Sequence, residues 1–162
     1  MKNSSQILSS KENRLKHTPQ NRPGRAHWDG PRGNSKYIVE SGEPELLNLL
    51  QKFGIDGIQY TFAVVDFGPC ILITIHMPQM AIQRYKNFAY CDQTCANHWN
   101  AINYLGYNNW TRHLVANYRK NNQYTWHERN DRIHCDLVPR KIHSFFCHLG
   151  GISECKLAAK QK

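Results

Sequence analysis

The sequence lacks the long apolar segments that carry a chain into or across a membrane. No run of about eighteen apolar residues occurs, so no membrane span is predicted. The N-terminus has no apolar core of the Sec type, so no Sec-type signal peptide is predicted. Hydrophobic residues still make up 40% of the chain, which is enough for most of it to fold.

Paired cysteine motifs are also missing. None of the 6 cysteines forms a Cys-x-x-Cys pair, and their spacing shows no repeated framework. Cys91 and Cys95 are four positions apart, which places them on one face of a helix as half of a zinc site at most. We expect reduced, mostly structural thiols.

Acidic residues are few beside basic ones. Lys and Arg total 21 and Asp and Glu total 12, which gives a net charge of +9. Basic side chains concentrate toward the two ends of the chain, in residues 1–36 and from residue 119 onward. Such ends suit a polyanionic partner, most commonly nucleic acid, or serve as solubilising tails.

Composition and periodicity divide the chain into four parts. Residues 1–35 are rich in Asn, Ser, Lys, Arg, Pro and Gly, which predicts a flexible basic segment. Residues 36–122 form an α+β supporting region, residues 123–155 have the pattern strand, turn, strand, helix, and residues 156–162 form a basic tail. In the supporting region we predict helices over 44–53, 79–102 and 110–120, and a hairpin of strands 58–65 and 71–77 around a turn at 66–69.

Histidines cluster in the C-terminal pattern. Four of the 9 histidines lie within residues 127–148, and imidazole nitrogen is a good ligand for divalent metals. His143 and His148 are five apart, or about 140° apart on an unbroken helix. Both can bind one ion only if the helix ends near Cys147. Otherwise one is a ligand and the other caps the helix.

His127 and Glu128 are the candidate catalytic residues. Phosphodiester hydrolysis needs a general base for water and a cation that stabilises the developing charge. Neighbours on a strand point to opposite faces, so a bulge or the strand end is needed to bring both groups to one cleft. The candidate metal ligands are His127, His143 and His148.

Four basic residues around this strand-turn-strand-helix element are candidate phosphate contacts: Arg129, Arg132, Arg140 and Lys141. Arg140 and Lys141 lie near the helix start, where backbone N–H groups also favour anions, and the alternative for them is a solvated helix face.

The chain here resembles a known family. Trp126-His127-Glu128, then Leu137-Val138-Pro139, His143 and His148-Leu149-Gly150-Gly151 are similar to the toxin nucleases of the HNH/endonuclease VII superfamily. In particular, these residues resemble the WHH branch, relatives of the colicin DNases. Weaker similarities follow in the same order upstream, at residues 30–35, 54–60, 66–67, 84–88 and 92, so the resemblance spans about residues 30–155.

The resemblance implies an α+β fold with a C-terminal ββα-metal (His-Me finger) motif packed on an N-terminal hairpin-plus-helices region. It implies one divalent metal ion (Zn, Ni, Mg or Mn) and non-specific cleavage of DNA by a bacterial toxin effector. The implied partners are DNA, or RNA, and an acidic immunity protein. The absence of a Sec-type signal is compatible with delivery into target cells by a specialised system, and equally with a phage or cytoplasmic protein.

The WHH branch has Trp-His-His, with the first histidine a ligand and the second the base, whereas Glu128 stands second here. Two assignments therefore remain open. Either His127 is the base and Glu128 a ligand or support, or His127 binds the metal and Glu128 is the base. The central Asn of the HNH pattern has no clear match, and Asp136 is the nearest supporting candidate. Asp66, within a similar Asp-Phe pattern, is another.

The sequence is compatible with three functions. The first is a metal-dependent endonuclease, a DNase. The second is an RNase or tRNase toxin on the same scaffold. The third is a non-catalytic, zinc-binding nucleic-acid-binding module, which a closed shell of four ligands would favour.

Overall fold

The computed structural model describes residues 6–162, which fold into helices and two small antiparallel sheets. This confirms the predicted α+β class. The helices and strands follow one another in this order: α1 (Lys11–Lys16), β1 (Ala26–Trp28), β2 (Lys36–Val39), α2 (Pro44–Gln51), β3 (Gly57–Thr61), β4 (Val64–Asp66), β5 (Ile73–His76), α3 (Arg84–Ala101), α4 (Arg112–Asn121), β6 (Tyr124–Glu128), β7 (His134–Pro139), α5 (Arg140–Phe145) and α6 (Gly151–Lys160). Two short 3-10 turns lie between β4 and β5, at Gly68–Cys70, and between α3 and α4, at Tyr104–Gly106.

The chain divides into two compact units, each assembled from separate stretches of sequence. The four-strand unit contains residues 9–71 and 140–149. The three-strand unit contains, within the described chain, residues 6–8, 72–139 and 150–162. These divisions differ from the predicted boundaries, because the strand-turn-strand-helix pattern supplies β6 and β7 to one unit and α5 to the other.

The sheet of the four-strand unit is an antiparallel meander in the order β1-β2-β3-β4. Its core contains the rings of Trp28, Tyr37 and Tyr60, with 4.9 Å between the ring centroids of Trp28 and each tyrosine. In α2, Pro44 occupies the first turn, where no N–H is required, and Leu46 and Leu50 are buried one turn apart.

The N-terminal segment differs from the flexible stretch that its composition predicts. Residues 1–5 lie outside the described part of the chain. Beyond them, α1 begins at a Ser10 cap whose side chain accepts a hydrogen bond from the Asn13 N–H at 3.0 Å. Ala26 and Trp28 of β1 are buried. Burial of apolar surface offsets the entropy lost when this polar segment is ordered.

The predicted hairpin between residues 58–65 and 71–77 is wrong. The chain turns earlier, at Phe62 and Ala63, and β3 pairs with β4. Strand β5 instead pairs with β7 in the other sheet, with Ile73 opposite Leu137. Phe62 and Ala63 have φ values of 49° and 59°. A two-residue turn with both φ values positive is usually marked by Asn-Gly or Asp-Gly, so Phe-Ala gives no sequence signal for it.

The strain at Phe62 is testable with a matched pair of variants. Both Phe62→Asn and Phe62→Thr remove an aromatic ring that is 59% exposed. Asn tolerates positive φ, whereas β-branched Thr does not. We expect the Asn variant to exceed the Thr variant by about 1 kcal/mol in free energy of unfolding, measured in urea. Equal stabilities of the two variants would contradict the positive φ at this position.

The sheet of the three-strand unit has the antiparallel order β5-β7-β6. Its buried core includes Ile75, Trp126 and Leu137 of the sheet together with Cys95 and Trp99 of α3. Burial raises the pKa of the Cys95 thiol, so the thiolate that metal binding needs is disfavoured there. This cysteine is part of the packed core.

The C-terminal residues form α6, a helix of the three-strand unit, where the sequence predicts a loose basic tail. Glu154 is fully buried in this helix. It accepts hydrogen bonds from the Leu8 N–H at 2.8 Å and from Asn130 Nδ2 at 3.1 Å. These contacts anchor the helix. Within residues 6–162, no helix combines the length and the apolar character needed to cross a membrane.

Candidate functional site

Strands β6 and β7 form the hairpin that holds the two predicted catalytic residues. In its register His127 lies opposite Asp136, and Glu128 lies opposite Cys135. Glu128 points toward α3, where it contacts Asn87. His127 therefore points to the other face of β6, because successive strand residues alternate. The strand is regular here, and the two candidates lie on opposite faces of it.

The Glu128 carboxylate is held by α3. It is only 5% exposed. One oxygen accepts a hydrogen bond from Asn87 Nδ2 at 2.5 Å, and the other accepts from Arg84 Nε at 3.1 Å. Burial raises the pKa of Glu128, although the Asn87 hydrogen bond and the Arg84 charge act in the opposite direction. Both oxygens are thus engaged within the three-strand unit.

His127 is itself buried, with 3% exposure, and its cross-strand neighbour Asp136 is the centre of a hydrogen-bond network. The Asp136 carboxylate accepts from Arg129 Nε at 2.6 Å and Nη2 at 2.7 Å, in a bidentate pair. It also accepts from the Thr74 hydroxyl at 2.7 Å. Arg129, a predicted phosphate contact, is therefore used to fix this face of the hairpin.

In the four-strand unit, α5 and the loop after it bring His143 and His148 together. Helix α5 ends at Phe145, which meets the condition that the helix end near Cys147 if both histidines are to bind one ion. The two ring centroids are 4.9 Å apart, with the planes inclined at 79°. Their candidate ligand nitrogens lie within 4.8 Å of each other. Both side chains are partly exposed.

The orientation of His148 is fixed by the backbone. Its Nδ1 lies 2.7 Å from the Phe146 carbonyl oxygen, and an N–H at Nδ1 donates to that carbonyl. The lone pair of this tautomer then resides on Nε2. Phe67 is buried beside both histidines, with ring centroids 5.7 Å from His143 and 5.6 Å from His148, and it forms an apolar wall.

The remaining predicted site residues have ordinary surface or turn contacts. Arg132 Nη2 donates to the Gln6 carbonyl at 3.1 Å. Arg140 and Lys141 are exposed at the start of α5, and Lys141 pairs with Glu45 at 2.6 Å. Asp66 is exposed, and its side chain accepts from the Gly68 N–H at 2.8 Å, which shapes the turn after β4.

Sequence reasoning missed the buried polar residues of α3. Asn87 supports Glu128, and Asp92 pairs with Arg119 through two hydrogen bonds of 2.8 and 2.7 Å. A signal was present in the spacing. Asn87 shares a helical face with Cys91 and Cys95, and a polar residue within an apolar stripe indicates a buried hydrogen-bond partner.

Gly151 is the first residue of α6, and neighbouring atoms lie too close to it to leave room for a side chain. A Cβ at this position would lie 2.5 Å from the Arg129 carbonyl oxygen and 2.7 Å from Met80 Sδ. Helix propensity alone predicts that Gly151→Ala stabilises the protein. We expect the opposite, a loss of about 1–3 kcal/mol in free energy of unfolding, because the backbone must move. A more stable variant in a denaturant titration would contradict this packing.

A comparison with models of protein families identifies the family to which the chain belongs. The family model described as the DNase/tRNase domain of colicin-like bacteriocin matches residues 58–150, more than half of the chain. The match includes β6, β7, α5 and both paired histidines. The chain therefore belongs to the colicin-DNase family, the nuclease domains of colicin-like bacteriocins. Searches of curated proteins and of solved structures found no match.

Proposed function

We propose that this chain is a metal-dependent HNH-type endonuclease, a non-specific DNase that acts as a bacterial toxin effector. The observation that carries the proposal is the His143–His148 pair, whose ligand nitrogens lie within 4.8 Å of each other in a member of a nuclease family. A helix that directly follows a β-hairpin supplies His143, in keeping with a ββα-metal motif.

The donor chemistry of the pair fits one divalent ion. The hydrogen bond from His148 Nδ1 to the Phe146 carbonyl leaves Nε2 as the atom that can bind a metal, and histidine ligands are usually oriented by such a bond from the other ring nitrogen. Two neutral imidazoles suit Zn or Ni better than Mg or Mn, which prefer oxygen ligands. A bound ion would stabilise the negative charge that develops on the phosphate and on the leaving oxygen.

His127 is the third member of the proposed set. Glu128 is buried, and both of its oxygens accept hydrogen bonds from α3, so it is poorly placed to receive a proton from water. This environment supports the assignment in which His127 is the general base, His143 and His148 hold the ion, and Glu128 is a support. In the alternative, His127 is a third metal ligand and Glu128 is the base. Measuring metal binding by the His127→Ala variant distinguishes the two assignments, because only the second one predicts that binding is lost.

Phosphate contacts are proposed at the start of α5. Arg140 and Lys141 are exposed there, and the chain has a net charge of +9. Arg129 and Arg132 take a smaller part, since Asp136 and the Gln6 carbonyl engage them. Asp136 acts as a support for the hairpin beside His127, and Asp66 as a support for the turn after β4.

Membership of a bacteriocin family also supports delivery into target cells and neutralisation by a partner. We propose an acidic immunity protein, since a chain of net charge +9 attracts a partner of opposite charge. High salt is then expected to slow association of the two proteins.

The experiment that tests the substrate uses plasmid DNA and tRNA side by side. Purified chain is incubated with each nucleic acid and Zn²⁺, Ni²⁺, Mg²⁺ or Mn²⁺. We expect supercoiled plasmid to be nicked and then linearised without sequence preference. Cleavage of tRNA alone would overturn the DNase assignment but keep a nuclease. If both substrates stay intact with every ion, the proposed enzyme function fails.

A further inference from the structure

Arg84, the first residue of α3, combines an exposed side chain with a buried partner. Its side chain is 66% exposed, whereas that of Glu128 is 4% exposed. Arg84 Nε donates to a Glu128 oxygen at 3.1 Å. Within residues 6–162, the two terminal nitrogens of Arg84 make no further hydrogen bond. Glu128 therefore fixes the inner edge of the guanidinium and leaves its outer edge to solvent.

Asn87 holds Glu128 in one orientation. Its side-chain oxygen accepts from the Ala81 N–H at 2.8 Å, and its Nδ2 donates to the Ala81 carbonyl at 2.8 Å. The same Nδ2 donates to Glu128 at 2.5 Å. Asn87 is fully buried, so this contact is shielded from water. Asn87 and Arg84 each donate a hydrogen bond to Glu128, and together these two bonds fix the position of the exposed Arg84 guanidinium.

The surroundings of Arg84 suit a nucleic acid strand. Tyr85 and Lys86 follow it directly, and both are exposed, Tyr85 to 71%. Successive residues of a helix point about 100° apart, so Tyr85 and Lys86 flank Arg84 with an exposed ring and an exposed ammonium and do not share its face. Surface ion pairs alone contribute little stability, so a buried carboxylate that orients an exposed arginine indicates another role.

We propose that Arg84 binds a phosphate of the nucleic acid strand with its two terminal nitrogens. Glu128 and Asn87 are positioning residues that present this fork, which matches phosphate oxygens in a bidentate manner. The inference rests on the proposed DNA substrate. It assigns to Glu128 a function that does not require it to accept a proton.

The test is the salt dependence of DNA binding by the full chain in EDTA, where binding is measured without metal-dependent cleavage. A labelled DNA duplex is titrated by fluorescence anisotropy at several salt concentrations. Arg84→Ala is expected to reduce the slope of log K against log salt by about 0.9 and to weaken binding about eightfold at 0.1 M salt. Arg112→Ala is the matched control, because Arg112 is the exposed first residue of α4 in the same unit. An unchanged slope for Arg84→Ala overturns the inference.

Glu128→Gln distinguishes positioning from net charge. The substitution makes the chain more positive, so a long-range charge effect alone would tighten DNA binding. Positioning of Arg84 by Glu128 predicts weaker binding and a smaller salt slope, and tighter binding overturns it. The thermal midpoint of each variant shows whether it is folded, and Arg84→Ala tests the inference even if Glu128→Gln unfolds.

The outcomes for this inference and for the proposed function are separable. If the wild-type chain cleaves DNA but Arg84→Ala keeps the full salt slope, the inference fails and the nuclease stands. If the slope of log K against log salt is reduced in Arg84→Ala but the wild type cleaves neither plasmid nor tRNA, the proposed nuclease function fails and the phosphate contact of Arg84 stands.

Discussion

Replacing His127 with alanine is expected to lower the rate of plasmid cleavage by about 10²- to 10⁴-fold, the usual effect of losing a general base. The side chain is buried on β6 beside Asp136, whose carboxylate is held by Arg129 and Thr74. The measurement is the initial rate of nicking, with protein and metal concentrations held constant.

His134→Ala is the matched control for this prediction. His134 lies on β7, in the same hairpin, and its Nδ1 contacts Asp131 at 2.7 Å. Its removal should leave cleavage within about twofold of wild type. Calorimetric titration of Zn²⁺ into His127→Ala then separates the two roles. Retained binding supports a base, and lost binding supports a third ligand. A His127→Ala chain that cleaves like wild type would remove His127 from the site.

Asp92→Asn is expected to lower the free energy of unfolding by about 3–5 kcal/mol, because it leaves a buried arginine without its counter-charge. Asp92 is 3% exposed and Arg119 is 8% exposed. Asp92 also accepts from Trp126 Nε1 at 2.8 Å, and this contact fixes the strand that continues into His127. Nuclease activity should therefore decline together with stability, as measured by urea titration and plasmid nicking at the same temperature.

The matched control for Asp92 is Asp56→Asn. Asp56 pairs with Lys36 at 2.6 Å, but the two side chains are 52% and 36% exposed. An ion pair of this kind contributes less than about 1 kcal/mol. Similar losses of stability in the two variants would show that the Asp92 network is not the buried ion pair described for α3 and α4.

Local sequence signals were sufficient for the elements that hold the paired histidines. The spacing of His143 and His148 indicates that both can bind one ion only if the helix ends near Cys147, and α5 ends at Phe145. The pattern of strand, turn, strand and helix predicted within residues 123–155 is present as β6, β7 and α5. These features depend on nearby residues, so a single sequence contains the information.

Features that depend on tertiary packing escaped prediction. The turn at Phe62 and Ala63 has positive φ values at residues that do not signal it. The polar composition of residues 1–35 conceals Ala26 and Trp28, which are buried in a sheet. The partners of Glu128 lie 41 and 44 positions earlier in the chain, so the spacing that marks Asn87 as a buried polar residue does not show that Glu128 is its partner.

The sequence motif around Glu128 and the contacts of its side chain indicate different roles for this residue. Its place beside His127 in a nuclease-like motif suggests a catalytic role. The strand alternation and the hydrogen bonds from Asn87 and Arg84 instead place it among the contacts of α3. A departure from the family pattern at this position is therefore consistent with a nuclease in which the acidic side chain is a support.

Metal dependence is tested most directly by plasmid nicking with one sample of wild-type chain, first stripped of metal with EDTA and then restored with Zn²⁺ or Ni²⁺. We expect no cleavage after stripping and full cleavage after restoration. His148→Ala is expected to stay inactive when the ion is restored, because the pair with His143 is broken. Equal cleavage by stripped wild type, or by His148→Ala, would contradict a metal-dependent nuclease built on these histidines.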